Sequence, residues 1–161
     1  MPVTRVRQHT YDVTVTWTGN KGAGTSGYRR YSRDHSVAVT GRPDLAVSSD
    51  PAFLGDESRY NPELLLLASL SSCHMLWYLH LCAVHGVVVQ AYEDCASGTM
   101  AEDTDGSGRF TSVLLSPEVS LAPGADQALA GRLHADAHAK CFIANSVNFP
   151  VRHEPVFRTE R

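Results

Sequence analysis

From Leu64 to Tyr92 the chain contains no Asp, Glu, Lys or Arg. A segment this long and this apolar has few ways to fold. It can cross a bilayer, or it can form a helix enclosed by protein over most of its circumference. Ser69, Ser71, Ser72, His74, His80 and His85 interrupt the run and Gly86 ends it, which favours the enclosed helix over a membrane span. The start is well marked. Asn61 can accept from the free amides of a first turn, Pro62 has its φ already set for the first helical position, and Glu63 puts negative charge at the positive end of the helix dipole. These signals predict a central helix over 61–86, stopped by Gly86, which can take the left-handed conformation that closes a helix. On a regular helix of about 100° per residue, Leu66, Leu70, Cys73, Trp77 and Val84 share one stripe and Cys82 falls on the opposite side from Cys73.

The chain has 161 residues, an ordinary length for one domain. Ahead of the helix, Tyr11, Val13, Val15 and Trp17 alternate with Asp12, Thr14 and Thr16, the period of a half-buried strand. Strand-like pieces at Gly27–Tyr31 and Ser36–Thr40 complete a meander over 11–40. Residues 41–60, rich in Pro, Asp and Ser, read as a loop of functional length. After the helix, 87–161 reads β-β-α-β. Strands at Val87–Tyr92 and Phe110–Leu121 join through a polar turn at Glu102–Gly108, a second helix runs from Asp126 to Lys140, and a last strand covers Val147–Val156. Strand blocks separated by two helices predict an α+β domain with antiparallel sheets packed around the long helix.

A net charge of −3 and an isoelectric point near 6.2 provide no broad basic surface, so composition argues against nucleic-acid binding and towards small-molecule partners. Four cysteines are too few for a disulfide-stapled secreted scaffold, and Met1-Pro2-Val3-Thr4-Arg5 lacks the apolar core of a signal peptide. The expected location is the cytoplasm, where thiols are reduced and a useful disulfide is transient.

Asn61-Pro62-Glu63-Leu64-Leu65, with Cys73 ten residues after Glu63, and Ala137-His138-Ala139-Lys140-Cys141 downstream resemble the OsmC/Ohr family of stress-induced thiol peroxidases. The resemblance runs from about Tyr11 to Pro150. It implies an intertwined homodimer that reduces organic hydroperoxides without a cofactor. Cys73 matches the peroxidatic cysteine, Cys141 the resolving cysteine, and Glu63 the acidic residue that holds an activating arginine.

Only a thiolate attacks an O–O bond, and an unperturbed thiol with a pKa of about 8.5 is roughly 3% ionised at neutral pH. Cys73 lies too far along the helix for the dipole, which fades within the first turn, so a cation must assist it. Here the chain departs from the family. Ala52, beside Phe53-Leu54-Gly55, stands where the OsmC branch has its arginine, and Gly19-Asn20-Lys21-Gly22 occupies the hairpin where the Ohr branch has its own. Arg59 and Arg33 are the candidate replacements. Ten helical residues rise about 15 Å, so Glu63 can serve Cys73 only across a twofold dimer whose central helices pack together. The implied cycle runs through a Cys73 sulfenic acid and a Cys73–Cys141 disulfide that a dithiol, dihydrolipoyl-type in the Ohr branch, reduces again. Leu70 and Trp77, one turn either side of Cys73, favour alkyl or acyl hydroperoxides over hydrogen peroxide.

Two other readings compete. His134 and His138 at i, i+4, with Cys141 three residues later, could ligate a metal, His74 being a possible fourth ligand. Alternatively, an OsmC-like domain without peroxidase activity could bind an apolar ligand near Trp77-Tyr78. His80, about 10.5 Å along the axis from Cys73, is poorly placed as its general base and reads as a core histidine. No Gly-x-Ser-x-Gly elbow or phosphate-binding Gly-Lys-Ser element is present.

Overall fold

The computed structural model describes residues 7–159. The Met1–Arg5 segment weighed as a leader lies outside them. The chain is mixed α+β, as its pattern predicts, and divides into two compact units between Leu64 and Leu65.

In the first unit, β1 (Thr14–Trp17), β2 (His35–Ala38) and β3 (Leu45–Val47) form an antiparallel meander in the order β1-β2-β3. The meander is present, but its third strand lies within the segment expected to be a loop. Gly27–Tyr31 is a series of turns rather than a strand. Those turns belong to a long β1–β2 connection closed by Thr18 N–H donating to the Asp34 carbonyl at 2.9 Å and Ser32 N–H to the Gly19 carbonyl at 2.9 Å. A Cβ at Gly19 would lie 1.9 Å from the Ser32 oxygen, so no other residue permits that approach. Nor is β1 half-buried within the unit. Tyr11 is 88% exposed and Trp17 43%, so the alternation marks a face that this fold leaves uncovered.

The helix α1 runs from Pro62 to Val84. The Asn61 side chain accepts from Leu64 N–H at 2.8 Å, the cap its sequence signals. At the other end Gly86 has φ +72°, Gly86 N–H donates to Ala83 and Val87 N–H to Cys82, the paired bonds of a Schellman stop.

In the second unit α1 is followed by β4 (Val89–Asp94), β5 (Ser97–Glu102), β6 (Gly108–Leu115), β7 (Pro117–Leu121), α2 (Gln127–Lys140), β8 (Val151–His153) and β9 (Val156–Thr159). The strands make two three-stranded sheets, β4-β7-β9 and β5-β6-β8, with β8 and β9 parallel to their neighbours. Three features differ from the pattern-based expectation. β5 was not anticipated. Phe110–Leu121 is two strands, split at Ser116, whose N–H leaves the ladder to donate to the Asp94 carboxylate at 2.7 Å, next to Pro117, which has no N–H. Val147–Val156 is likewise divided, by Pro155, so β8 joins one sheet and β9 the other. The turn between Glu102 and Gly108 and the second helix stand where expected, with Asp126 capping α2 through Leu129 N–H at 2.9 Å.

The core lies between α1, α2 and the two sheets. Tyr78, Leu81, Cys82, Val87, Val119, Leu121, Ala130, Leu133 and Ala137 form one cluster, and Leu70, Val113 and Leu115 another. The face that α1 buries is Leu70, His74, Tyr78, Leu81 and Cys82, rotated from the anticipated stripe, of which only Leu70 is fully enclosed. A helix apolar on almost every side gives periodicity nothing with which to choose a face. The opposite side is open at Leu76, 63% exposed, and so is the last turn at Val84, 66% exposed. α1 is long and apolar enough to cross a membrane, but its Leu70–Cys82 stripe packs as the core helix of a folded unit.

Candidate functional site

Cys73 lies mid-α1 and Cys141 caps the C-terminus of α2, and the Cys73 thiol is near enough to perturb the Cys141 thiol. The backbone brings Cys141 there by leaving the helix: its φ and ψ are extended, its N–H donates to the His138 carbonyl at 3.2 Å, and its sulfur accepts from Ala144 N–H at 3.4 Å. Cys141 is buried and Cys73 partly exposed. Burial pushes the Cys141 thiol up to about 11, and the neighbouring Cys73 thiol adds to that rise while the Ala144 amide opposes it. Cys82 is buried elsewhere in the core, its thiol also pushed up by burial, and Cys95 is exposed.

Aromatic side chains edge the cysteine pair. Leu70 is enclosed, whereas Trp77 is partly open, with Phe142 edge-on at 5.7 Å and the Lys140 ammonium 5.8 Å from its ring centre. Leu76, Trp77 and His80 line a groove of about 230 Å³ with mostly apolar walls. His80 is exposed, edge-on to Trp77 at 5.8 Å, and is not the core histidine anticipated. Lys140 and Phe142 were not singled out from the sequence as site residues. Their signal was adjacency to Cys141, which acquires meaning only once α2 ends against α1.

The remaining candidates have partners of their own. Arg59 pairs with Asp56 at 3.3 Å and lies 3.9 Å from Asp34. Arg33 donates to the Tyr31 carbonyl at 2.8 Å and the Tyr28 carbonyl at 2.6 Å, and its guanidinium rests on both tyrosine rings at 4.2 and 4.5 Å. Glu63 has one buried carboxylate oxygen with no hydrogen-bond partner. Because α1 is unbroken, the axial rise of about 15 Å from Glu63 to Cys73 stands.

The metal reading is corrected. Among the described residues no group of three His, Cys, Asp or Glu side chains is arranged to hold an ion. His134 is occupied by His74, Nδ1 to Nε2 at 3.0 Å, and by a stack on Tyr78 at 3.7 Å, while the Cys141 sulfur faces Cys73.

Comparison with known proteins follows the same lines. The family model described as OsmC-like protein matches residues 55–155. An OsmC-like protein of unknown function from Vibrio cholerae is 30% identical, with a TM-score of 0.84 over 92% of this chain and 100% of that one. An organic hydroperoxide resistance protein from Legionella pneumophila is 18% identical, with a TM-score of 0.65 over 93% of this chain and 98% of its own. The organic hydroperoxide resistance protein OhrB of Bacillus subtilis, also 18% identical, gives 0.62 over 93% and 98%. The last two show the shared fold. No curated protein matches this chain.

Proposed function

The chain belongs to the OsmC-like protein family, and on that premise we propose that it is a cysteine-based thiol peroxidase reducing organic hydroperoxides to alcohols. The observation that carries this reading is the proximity of the Cys73 and Cys141 thiols, 68 residues apart in sequence and neighbours in the fold. The pair is asymmetric in a useful way. Cys141 is buried, with its thiol pushed up, whereas Cys73 is the more accessible sulfur and the one open to a substrate.

In the proposed cycle the Cys73 thiolate attacks the distal oxygen of the hydroperoxide and the O–O bond breaks heterolytically. The departing alkoxide takes a proton and leaves as the alcohol, and Cys73 becomes a sulfenic acid. Cys141 then attacks that sulfur, water departs, and the disulfide forms. A small dithiol, dihydrolipoyl-type by the Ohr resemblance, returns both sulfurs to thiols and is itself oxidised to a disulfide. The apolar groove at Leu76, Trp77 and His80 supports an alkyl or acyl substituent on the substrate.

The active form is proposed to be a homodimer. The uncovered apolar sides of α1 and β1 support it, and so does the unpartnered carboxylate oxygen of Glu63, which suits a guanidinium within a site shared with the partner chain's Cys73. Arg59 and Arg33 remain the proposed activating cations; either has to exchange present partners to act. The cytoplasm is the proposed location.

A second reading rests on those same engaged arginines: a domain that binds an apolar ligand in the Trp77 groove without turning over peroxide. Incubation with tert-butyl hydroperoxide and dihydrolipoamide separates the two. The peroxidase yields many equivalents of alcohol per chain, and Cys73→Ser yields none. Alcohol formation at the uncatalysed rate by the unaltered protein rejects the peroxidase reading.

A further inference from the structure

The first unit holds a polar cavity of about 320 Å³ to which the proposed cysteine chemistry assigns no ligand, although Arg33 in its wall is one of the two proposed activating cations. Its cationic walls are Lys21, Arg29 and Arg33, and its acidic ones Asp34 and Asp56. The carboxylates are already answered. Asp56 accepts from Arg59 at 3.3 Å and from the Ser58 amide at 2.9 Å, and Asp34 accepts from Ser48 at 3.0 Å with Arg59 3.9 Å away. Among the described residues, Lys21, Arg29 and Arg33 have no carboxylate within ion-pair distance. Arg59, outside the lining, answers the carboxylates, which leaves the three cations of the wall unanswered.

The framework is fixed before any ligand arrives. Asn20 accepts from the Gly22 and Gly24 amides at 2.9 and 3.1 Å, shaping the turn that carries Lys21. Trp17 donates from its indole to the Ser32 carbonyl at 2.8 Å, and Arg33 is pinned between two tyrosines by two carbonyl bonds. Leu54, on the cavity wall, sits at φ +61°, a left-handed conformation that a leucine adopts only under constraint.

We propose that this cavity is a binding site for a phosphoryl dianion, either free phosphate or the head group of a small phosphomonoester. A dianion draws on more than one of the three cations that lack a carboxylate, and guanidinium forks present paired N–H donors to phosphate oxygens. A monocarboxylate carries half that charge and satisfies fewer of these donors. The volume accommodates a small metabolite.

Calorimetric titration of the full chain near neutral pH with inorganic phosphate, glycerol phosphate and acetate tests the site. Saturable binding of a phosphate at one site per chain is expected, with acetate weaker by about tenfold or more. Tighter binding of glycerol phosphate than of phosphate identifies the monoester as the ligand, and the reverse order identifies the free ion. Lys21→Ala with Arg29→Ala should weaken phosphate binding by about tenfold or more while leaving thermal unfolding in place. If that pair fails to fold, Lys21→Gln alone should still weaken binding. Heats that do not saturate, or affinities indifferent to these substitutions in folded protein, overturn the proposal.

Discussion

His74 Nε2 and His134 Nδ1 lie 3.0 Å apart in the interior of the second unit, joining α1 to α2 by a bond between two imidazoles with almost no exposed surface. His153 of β8 stacks near both, at 5.4 and 5.9 Å; His138 of α2 faces His153 at 5.7 Å; Tyr78 and Phe157 close the remaining sides. No carboxylate pairs with this group among the described residues. Burial therefore holds His74 down to about 4 and His134 to about 3, with neighbouring imidazoles adding to the effect, and lowers His153 as well. The unfolded chain binds protons near pH 6.5 that the folded chain refuses, so stability is full above that pH. It is lost as pH falls towards 4, at a cost of the order of 3 kcal/mol for His74 alone. Urea unfolding at a series of pH values should show the midpoint falling steadily from pH 7 to pH 4. A midpoint unchanged across that interval contradicts the neutral cluster.

The open side of α1 and the exposed face of β1 predict self-association. Sedimentation at micromolar concentration should give a dimer, and Leu76→Asp, which places a charge on a residue 63% exposed in the single chain, should shift the population to monomer without loss of helix content. A wild-type monomer at that concentration removes the shared-site argument for Glu63.

The ends of α1 are set by single residues and should be separable from catalysis. Asn61→Ala removes the acceptor of the Leu64 amide and should cost about 1 kcal/mol. Gly86→Ala forces a Cβ into φ +72° and should cost a similar amount, about 1 kcal/mol. Both are read from chemical denaturation, and effects within error would mean that packing alone fixes the helix ends.

Removing one sulfur at a time should give different species. Cys141→Ser after one equivalent of alkyl hydroperoxide should retain a Cys73 sulfenic acid that a dimedone probe traps, and excess peroxide should carry it to sulfinic acid. Cys73→Ser should give neither adduct. Mass spectrometry reads both, and a dimedone adduct on Cys141 in the second variant would reverse the assigned roles.

Much of the fold is legible in the sequence because its signals are local. The Asn61 cap, the Gly86 stop, the start of α2 at Asp126 and the polar turn before Gly108 each depend on a few neighbouring residues, and each stands where expected. What fails is whatever depends on distant partners. The period-two run from Val113 to Leu121 continues unbroken through Ser116 because both strands bury the same side, so only the Asp94 acceptor, far off in sequence, reveals the break. The buried face of α1 is undecidable from a helix apolar all round. Resemblance singled out Cys73 and Cys141, but the His74–His134 bond joins residues of two helices that no motif connects. Arg33 illustrates the limit at the site itself: its charge is visible in the sequence, its capture by Tyr28 and Tyr31 is not.

The central claim is that two particular thiols act as one redox unit. Treating the reduced protein with one equivalent of an organic hydroperoxide, blocking residual thiols and mapping the peptides tests it directly. The account predicts the loss of two thiols per chain and a single new link between Cys73 and Cys141, absent in Cys73→Ser. A disulfide involving Cys82 or Cys95, or four thiols still titrating after the peroxide has been consumed, would contradict it.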